Sequence, residues 1–295
     1  MSAPTLMKLC LSIDKKFLIY PAHIWTPWFA IFGSKSGFDK MEDCFHEYTK
    51  NIYALETGLS SDPEMNWRLS ALDKLTILSN SDAHSLPNIA REANVFEMKN
   101  INYDEIYNII KNKIIFDGNN EVGVKYTIEF YPEEGMYHYD GHRDCGISFT
   151  PGETKKQKNV CPVCKKPLTI GVMNRVDELA DRALGFKPKY AAPFKKLVEL
   201  DKIIAEAIDI KSRQANKVQV EYNKLIKQGG NELNILLNIS LKELEKMTDA
   251  TVVEGVKRVR EGNLIIKPGF DGQYGTVKIF SEQEKRKNKQ KSLFE

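Results

Sequence analysis

The sequence lacks several features that define large classes of protein. No stretch of its 295 residues approaches the roughly eighteen uncharged apolar residues of a membrane span. Residues 1–4 do not begin a signal peptide, and we find no internal repeat and no low-complexity domain. Its five cysteines, two of them in a Cys-x-x-Cys pair, fit a reducing compartment in which thiols serve metals better than disulfides. We therefore expect a cytoplasmic protein with no membrane partner.

What is present suffices for a globular core, since 42% of the residues are hydrophobic and 10% are aromatic. The length allows one large domain or two ordinary ones. The net charge of +3 is uneven: residues 1–150 carry 14 basic and 21 acidic side chains, and residues 151–295 carry 29 and 19. The acidic half favours cations and the basic half favours phosphates, although such imbalance is also common on solvated surfaces.

Three short apolar runs each lead to a residue type that ligates metals. The runs are residues 17–23, 52–56 and 75–79. The ligand types that follow them are His23, Glu56, and Asp82 with His84. Near-continuous hydrophobicity predicts strands buried on both faces, with helices predicted between them over residues 38–48 and 64–72. The spacing of these ligand types is typical of successive βα units, so we expect a parallel sheet or barrel segment.

Side chains at the carboxyl ends of such strands converge on one rim, where active sites of these folds lie. Asp82 and His84 are two residues apart, so in an extended segment both can face one cation. Taken singly, each of these residues can equally cap a turn or make a surface hydrogen bond. The functional alternative is that these residues together form half of a hydrolytic metal site.

After this region the pattern changes. Two amphipathic stretches, residues 88–96 and 103–111, precede an alternating run over 124–130 that is typical of antiparallel strands. Helical periodicity dominates from residue 176 to residue 260, and residues 268–272 read as a turn. The mainly helical region therefore follows the β-rich one.

A second ligand cluster consists of His142-x-x-Cys145 and, fifteen residues on, Cys161-x-x-Cys164. Each pair forms a tight knuckle, and two knuckles complete the tetrahedron that zinc prefers. Four donors leave no open position, so we predict a structural Zn²⁺. His138 lies nearby as a possible substitute ligand, and the alternatives to zinc are a redox Cys-x-x-Cys or unligated thiols.

Longer segments around these residues resemble a known family. The segments are residues 21–28 (PAHIWTPW), 56–63 (ETGLSSDP), 81–84 (SDAH), 171–182 (GVMNRVDELADR) and 268–275 (PGFDGQYG). Together with the knuckles they resemble endonuclease Q and related PHP (polymerase and histidinol phosphatase) domain proteins over nearly the whole chain.

The resemblance implies an α/β fold: a partial (β/α) PHP-type barrel, a zinc-ribbon-like module and a mainly helical C-terminal region. The corresponding segments are residues 1–115, the β-rich zinc module at 116–174, the helical DNA-binding region at 175–283, and a basic tail at 284–295. It also implies metal-dependent cleavage of DNA on the 5′ side of hypoxanthine, uracil or an abasic site. His23, Glu56, Asp82 and His84 would then ligate catalytic Zn²⁺, Mg²⁺ or Mn²⁺.

The chain departs from the family pattern at its start. PHP domains begin with a His-x-His strand, and no His-x-His occurs in this sequence. We therefore expect the N-terminal half of the PHP domain to be missing, the chain to be inactive alone, and a complementing N-terminal fragment to be a possible partner. The substitution of His142 for a common cysteine is harmless, since zinc accepts either.

DNA is the expected macromolecular partner. Trp25, Trp28 and Phe29 follow His23 and either line a base pocket or close the barrel top. Lysines flank the knuckles and the loop before the helical region, where they suit phosphate contacts or are simply solvated. These are Lys155, Lys156, Lys158, Lys165, Lys166, Lys187, Lys189, Lys195 and Lys196. The alternatives to a repair endonuclease are a non-catalytic zinc-containing DNA-binding protein and a PHP phosphoesterase acting on a small metabolite.

Overall fold

The computed structural model describes residues 1–35 and 37–285, in two compact units. Unit 1 comprises Met1–Lys195 and Pro268–Gly275, and unit 2 comprises Lys196–Lys267 and the chain from Thr276 on. The four-segment division stays a prediction, and residues 286–295 of the expected basic tail lie outside the described residues. No helix in the described ranges is both long and apolar enough to cross a membrane.

Unit 1 mixes short helices with short strands. Its helices are α1 (Ala3–Ile13), α2 (Met41–Phe45), α3 (Pro63–Asn66), α4 (Tyr103–Lys111), α5 (Pro151–Lys156) and α6 (Val172–Leu179). Its strands are β1 (Ala54–Glu56), β2 (Thr76–Leu78), β3 (Ala93–Glu97), β4 (Gly123–Glu129), β5 (Asp140–His142) and β6 (Ile147–Phe149), and β7 (Phe194–Lys196) runs across the unit boundary. The mixed α/β composition agrees with the sequence prediction.

Strands β1 and β2 pair in parallel, with Glu56 opposite Leu78. Leu55 belongs to the large core cluster around Trp25, and Ala54 belongs to a second cluster with Ile110. The pair is therefore buried on both faces, which the near-continuous hydrophobicity predicted. The described residues form sheets of two or three strands, so the partial barrel stays a prediction.

The expected first strand, over residues 17–23, is absent from the described structure. The segment still runs beside β1, because the Glu56 N–H donates to the carbonyl of Pro21 at 3.1 Å. Pro21 has no N–H to return, and a proline interrupts the hydrogen-bonding ladder that a strand needs. The apolar run thus lies beside the sheet, partly exposed, without being part of it.

Both helices predicted near β1 are shorter than expected. Residues 38–48 contain α2, and a 3-10 helix follows it over His46–Asn51. Residues 64–72 contain most of α3 and a 3-10 helix over Ser70–Leu72. The start of α3 follows its sequence signal, since the Asp62 side chain accepts the Met65 N–H and Pro63 occupies the first turn.

A three-stranded sheet has the order β3-β4-β7, with β3 and β4 antiparallel. The antiparallel pattern predicted over residues 124–130 is β4, and the amphipathic stretch at 88–96 leads into β3. Helix α4 spans the residues that periodicity indicated, and the Asn102 side chain caps its N-terminus.

Unit 2 is mainly helical. Its elements are α7 (Leu200–Ala207), α8 (Asn216–Gly229), α9 (Glu232–Leu237), α10 (Leu241–Leu244), α11 (Ala250–Glu261), β8 (Ile265–Lys267) and β9 (Thr276–Lys278). Helix α7 packs against α8 and α11, and β8 pairs antiparallel with β9. Fully buried side chains such as Ile203, Leu225 and Ile235 form its core. Within this core Arg260 donates to three carbonyls at the end of α9.

Candidate metal centre and acidic rim

The first knuckle of the His/Cys cluster is built by the β5–β6 hairpin. His142 ends β5 opposite Ile147, and a 3-10 turn then carries the chain to Cys145. Gly146 closes this turn in the left-handed region, with φ of 64°. Because glycine adopts that conformation without strain, the hairpin can reverse sharply and hold both donors on one side.

The second knuckle is a tight turn at Cys161 and Cys164. The Cys161 N–H donates to the carbonyl of Lys166 at 2.8 Å, and the Lys165 N–H donates back to the carbonyl of Cys161 at 2.9 Å. These two bonds fix the shape of the loop. Cys161 is fully buried, and Cys164 lies nearer the surface.

The two knuckles meet, and the ligand atoms of His142, Cys145, Cys161 and Cys164 all lie within 4.8 Å of one another. Sγ of Cys164 is 3.9 Å from a ring nitrogen of His142. Donors about 2.3 Å from a tetrahedral zinc are separated by about 3.8 Å, so these donor positions fit such an ion closely. The cluster can therefore hold a metal ion.

The thiols of the cluster influence one another's protonation. Burial, together with hydrogen bonds shared with Cys164 and Cys161, raises the pKa of Cys145 to about 11. Burial also acts against the Cys161 thiolate, but N–H groups of Cys164 and Val163 donate to its sulfur and the pKa of Cys161 is lowered overall. A thiolate is the form that ligates metal, so Cys161 is prepared for that role.

Residues 268–275 brace the hairpin from far along the chain. The Asp271 carboxylate accepts the Arg143 N–H at 2.7 Å and the Thr169 hydroxyl at 2.6 Å. The Tyr139 N–H donates to the carbonyl of Gly269 at 2.9 Å. The hairpin is therefore held on both sides of its knuckle.

His23 and Glu56 lie together at the carboxyl end of β1. One carboxylate oxygen of Glu56 accepts the His23 N–H at 2.6 Å, and the other accepts the Asn80 amide at 2.8 Å. The Thr26 hydroxyl is 2.9 Å from Nδ1 of His23, which leaves Nε2 available for another contact. Gly58 permits this arrangement, because its φ is +62° and a Cβ there would lie 2.6 Å from Cβ of His23.

Asp82 and His84 lie in the loop after β2. Nδ1 of His84 is 2.9 Å from the carbonyl of Asp82 and 3.9 Å from its carboxylate. Their side chains are 52% and 86% exposed. Arg91 holds the loop through the carbonyl of Ser81 at 2.9 Å. The His84 ring therefore lies near Asp82, although Asp82 is not extended as the spacing argument assumed, since its φ is 43°.

The structure pairs His23 with Glu56 and Asp82 with His84, but it does not gather all four. In residues 1–35 and 37–285, the His142 cluster is the one group of three or more His, Cys, Asp or Glu side chains whose ligand atoms lie within reach of one ion. The assignment of the four as metal ligands stays a prediction.

We call the surface formed by His23, Glu56, Asp82 and His84 the rim. Two buried carboxylates behind it were not identified from the sequence. Glu129, at the end of β4, is fully buried and accepts the hydroxyls of Thr57 and Thr127. Glu92 is 2% exposed; one of its oxygens accepts the Phe130 N–H at 3.2 Å, and the other has no hydrogen-bond partner among the described residues. Glu129 shares the polar side of the alternating run with Lys125 and Thr127, so the sequence pattern gave no signal that it is buried.

These carboxylates hold their protons more tightly than usual. Burial raises the pKa of Glu129 to about 7 against the opposing effect of the Thr127 and Thr57 hydroxyls. Burial, reinforced by the negative charge of Glu129, raises the pKa of Glu92 well above its ordinary value. The interior next to Glu56 is therefore poor in compensating positive charge.

The three aromatic residues after His23 have separate roles. Trp25 is 1% exposed and its indole donates to Asn66 at 2.8 Å, so it belongs to the core. Trp28 is half-exposed and its ring lies 5.3 Å from that of Tyr137. Phe29 is 92% exposed. Of the three, Trp28 and Phe29 remain candidates for contact with a base.

The lysines singled out from the sequence differ in their surroundings. The ammonium group of Lys155 is paired with Asp177 at 2.6 Å, and that of Lys165 donates to the carbonyl of Pro162 at 2.9 Å. Lys156, Lys158 and Lys166 are exposed beside the knuckles. Lys195 lies over the ring of Tyr126 at 4.5 Å. The exposed lysines around the cluster remain available to phosphate groups.

Comparison with known protein sequences finds a family model that matches the helical part of the chain. Residues 199–263 match the MJ0043 C-terminal domain. The uncharacterized protein MJ0043 of Methanocaldococcus jannaschii is 34% identical over 261 residues, which cover 86% of this chain and 31% of that protein. The uncharacterized protein YqxK of Bacillus subtilis is 27% identical over 288 residues, covering 94% and 66%. The chain thus spans about a third and about two thirds of these relatives.

Two crystal structures resemble the chain over almost its whole length. The lesion-specific endonuclease PfuEndoQ from Pyrococcus furiosus superposes with a TM-score of 0.82 and 28% identity, covering 97% of this chain and 68% of that one. Endonuclease Q in complex with a 27-mer duplex carrying an abasic lesion gives a TM-score of 0.78 and 28% identity, covering 96% and 68%. The resemblance read from the sequence motifs is confirmed at the level of structure.

Proposed function

We propose that this endonuclease Q-like chain acts in DNA repair as a lesion-specific endonuclease of the same type. The observation that carries the proposal is the structural agreement over 97% of the chain with PfuEndoQ, at 28% identity. Agreement this long includes the motif segments at residues 21–28, 56–63, 81–84 and 171–182. The proposed reaction is hydrolysis of a phosphodiester on the 5′ side of a deaminated base, hypoxanthine or uracil, or of an abasic site.

The rim at the ends of β1 and β2 supports this reaction. Glu56 is fixed by two donors, the His23 N–H and the Asn80 amide, so its carboxylate is oriented before anything binds. Asp82 and His84 are exposed on the next loop, so they can bind a cation that approaches from solvent with a phosphate group. Divalent ions held by such ligands supply an activated water and stabilise the charge that develops on the phosphate. In this proposal His23, Glu56, Asp82 and His84 are the ligands in a PHP-type site.

The His/Cys cluster supports a structural role for zinc. Its four donors satisfy a tetrahedral ion completely, which leaves no position for a substrate. A hairpin fixed in this way offers a rigid platform on which Lys156, Lys158 and Lys166 can meet the DNA backbone. Such contacts position DNA without reading its sequence. The neighbouring endonuclease Q structure contains a duplex, which supports DNA as the partner of this chain.

We further propose that these 295 residues cleave weakly or not at all without added ligands for the rim. A metal-dependent nuclease needs several donors around its ions, and loss of donors lowers both affinity and geometry. The described rim brings His23 and Glu56 together but does not gather Asp82 and His84 with them. A complementing protein fragment that carries a His-x-His segment is the proposed source of the remaining ligands.

A second candidate function is that of a non-catalytic zinc-containing DNA-binding protein. The observation that favours it is the contrast between the gathered His/Cys cluster and the ungathered rim. Both candidates require DNA binding, and only the first requires a functional rim in some complete form.

The test is to incubate the protein with duplexes that contain hypoxanthine, uracil or an abasic site, with Mg²⁺ or Mn²⁺, and to follow strand cleavage on denaturing gels. We expect binding to all of these duplexes, and nicking only after a His-x-His-bearing fragment of a relative is added. Matched control reactions use Asp82→Asn and an undamaged duplex.

Three results would change the assignment. Strong nicking by the chain alone that disappears with Asp82→Asn would show that the rim is sufficient. If no added fragment produces nicking, the non-catalytic candidate is favoured. Absence of salt-sensitive DNA binding would remove both, because phosphate contacts weaken steeply with ionic strength.

A further inference from the structure

A surface loop of unit 1, residues 183–190, combines exposed apolar and cationic side chains. Leu184 is 76% exposed, Phe186 is 41% exposed and Tyr190 is 71% exposed. Lys187 and Lys189 alternate with them and are also exposed. The loop contains no acidic residue. Neither the metal cluster nor the rim uses these aromatic side chains.

The loop is anchored firmly at its start. The Arg182 guanidinium makes two hydrogen bonds to the carboxylate of Asp73, one of them 2.7 Å long, and it donates to the carbonyl of Trp67 at 3.2 Å. The N–H groups of Asp181 and Arg182 both donate to the carbonyl of Arg68 at 3.1 Å. The hydrogen bonds of the anchor therefore come from Asp181 and Arg182, which precede the loop.

The same anchor supports one of the rings. The guanidinium of Arg182 lies over the ring of Phe186 at 4.3 Å. Lys187 lies 5.8 Å from the ring centre of Trp67, and Lys189 lies 5.3 Å from that of Tyr190. Rings held beside cations lose little further freedom when a flat partner stacks on them, which lowers the cost of binding.

Charge complementarity identifies the partner as an anion. The two carboxylates at the anchor are already engaged, Asp73 with Arg182 and Asp181 with the Ser70 hydroxyl and N–H. The loop itself therefore presents two positive charges next to rings. Aromatic faces that alternate with cations suit a nucleic-acid strand, whose bases stack and whose phosphates pair with ammonium groups.

We propose that residues 183–190 bind unpaired nucleotides of a DNA strand, with bases stacked on Phe186 and Tyr190 and phosphates contacted by Lys187 and Lys189. Paired bases in a duplex are already stacked on their neighbours, so lysines alone would serve duplex binding. The aromatic rings add affinity only where bases are free. This inference rests on the proposed function for its choice of DNA, and it adds a strand-specific contact to it.

The experiment measures fluorescence anisotropy of the full chain with a labelled oligothymidine strand and with an undamaged blunt duplex of the same length. Stacking is worth enough that Phe186→Ala and Tyr190→Ala should each weaken single-strand binding about tenfold. Duplex binding should change by less than about twofold, since duplex contacts depend on phosphates. Tyr190→Phe retains a ring and should bind as the unaltered chain does.

Leu184→Ala is the matched control, because it removes an exposed side chain of the same loop but no ring. In a second measurement, Tyr190→Trp should show fluorescence quenched by oligothymidine, a signal that does not depend on tolerance of the alanine changes. Unchanged single-strand binding in both alanine variants overturns the proposal. Equal losses on strand and duplex overturn it as well. Failure of the chain to bind the duplex, with strand binding intact and ring-dependent, would instead remove the proposed repair function and leave this inference standing.

Discussion

In the β5–β6 hairpin and the turn facing it, four metal donors meet within 4.8 Å, whereas at the ends of β1 and β2 four candidate donors remain as two separate pairs. The hairpin donors come from two short turns whose backbone hydrogen bonds set their shape. The rim donors come from three separate segments: the chain before β1, the end of β1, and the loop after β2. A soft-ligand site is thus assembled locally, while a hard-ligand rim depends on how distant segments are brought together.

The two regions also differ in how they tolerate charge. The three thiols of the hairpin cluster lie close together. When they lose their protons, a metal ion bound between them can neutralise the negative charge of the thiolates. Behind the rim, Glu92 and Glu129 are buried with raised pKa values. The fold accommodates them by favouring the protonated carboxyl, which removes the charge instead of compensating it.

The largest expected effect is that of breaking the hairpin cluster. Cys161→Ala should abolish the one metal ion expected per chain and lower the free energy of unfolding by more than about 3 kcal/mol, because structural zinc contributes about 10–16 kcal/mol to the folding of small peptides. Metal content by mass spectrometry and urea unfolding measure this. Cys44→Ala, which removes a half-buried thiol outside the cluster, is the matched control. Full metal content in the Cys161 variant would contradict the assignment.

A smaller effect is expected from Glu129→Gln. Between the ordinary pKa near 4.5 and the folded pKa of about 7, the folded chain holds a proton that the unfolded chain has lost, so stability falls as pH rises through this range. Glutamine cannot ionise, so the free energy of unfolding of the variant should be up to about 3 kcal/mol higher than that of the unaltered chain above neutral pH. Below about pH 4.5 the two free energies should be equal. Urea unfolding at several pH values checks this.

Glu47→Gln, at an exposed position, serves as the control for that pH series. Parallel pH profiles for Glu129→Gln and the unaltered chain would show that Glu129 is charged in the folded state. The acidic interior would then have to be neutralised in another way, and the contrast between the two regions would weaken.

The smallest effect on stability is expected at the rim surface. Asp82 has a positive φ of 43°, which asparagine tolerates well, and its exposed pairing with His84 contributes at most about 1 kcal/mol. Asp82→Asn should therefore change the free energy of unfolding by less than about 0.5 kcal/mol and leave the metal content of the His/Cys cluster unchanged. Thermal unfolding measures this, and a large loss would mean that the rim loop is built into the fold.

Local sequence signals predicted the parts of the structure that local interactions determine. The amphipathic stretch over residues 103–111 located α4, and the apolar runs located β1 and β2 with their parallel pairing. The two knuckles were predicted as a unit because each is closed by bonds within a few residues. The endonuclease Q resemblance came from motif segments spread along the chain.

Features that depend on distant contacts were missed. Residues 17–23 look like a strand, but Pro21 deprives the segment of a donor it would need beside β1. Glu92 was not singled out because nothing adjacent in sequence marks it as buried; its environment is created by β4 and the loop after β2. Asn80 orients Glu56, but nothing in the sequence alone identifies this role.

The bond between Arg143 and Asp271 joins residues 128 positions apart, and it braces the hairpin that carries the His/Cys cluster. The last donor of the cluster, Cys164, precedes Asp271 by 107 positions, which a ribosome needs roughly 5–21 s to synthesise at about 5–20 residues per second. During this interval the knuckles exist without their brace, so the metal can be captured before unit 1 is complete. Unit 1 can therefore be completed only after most of the helical unit 2 has been synthesised. Metal bound early would stabilise the hairpin until Asp271 is available.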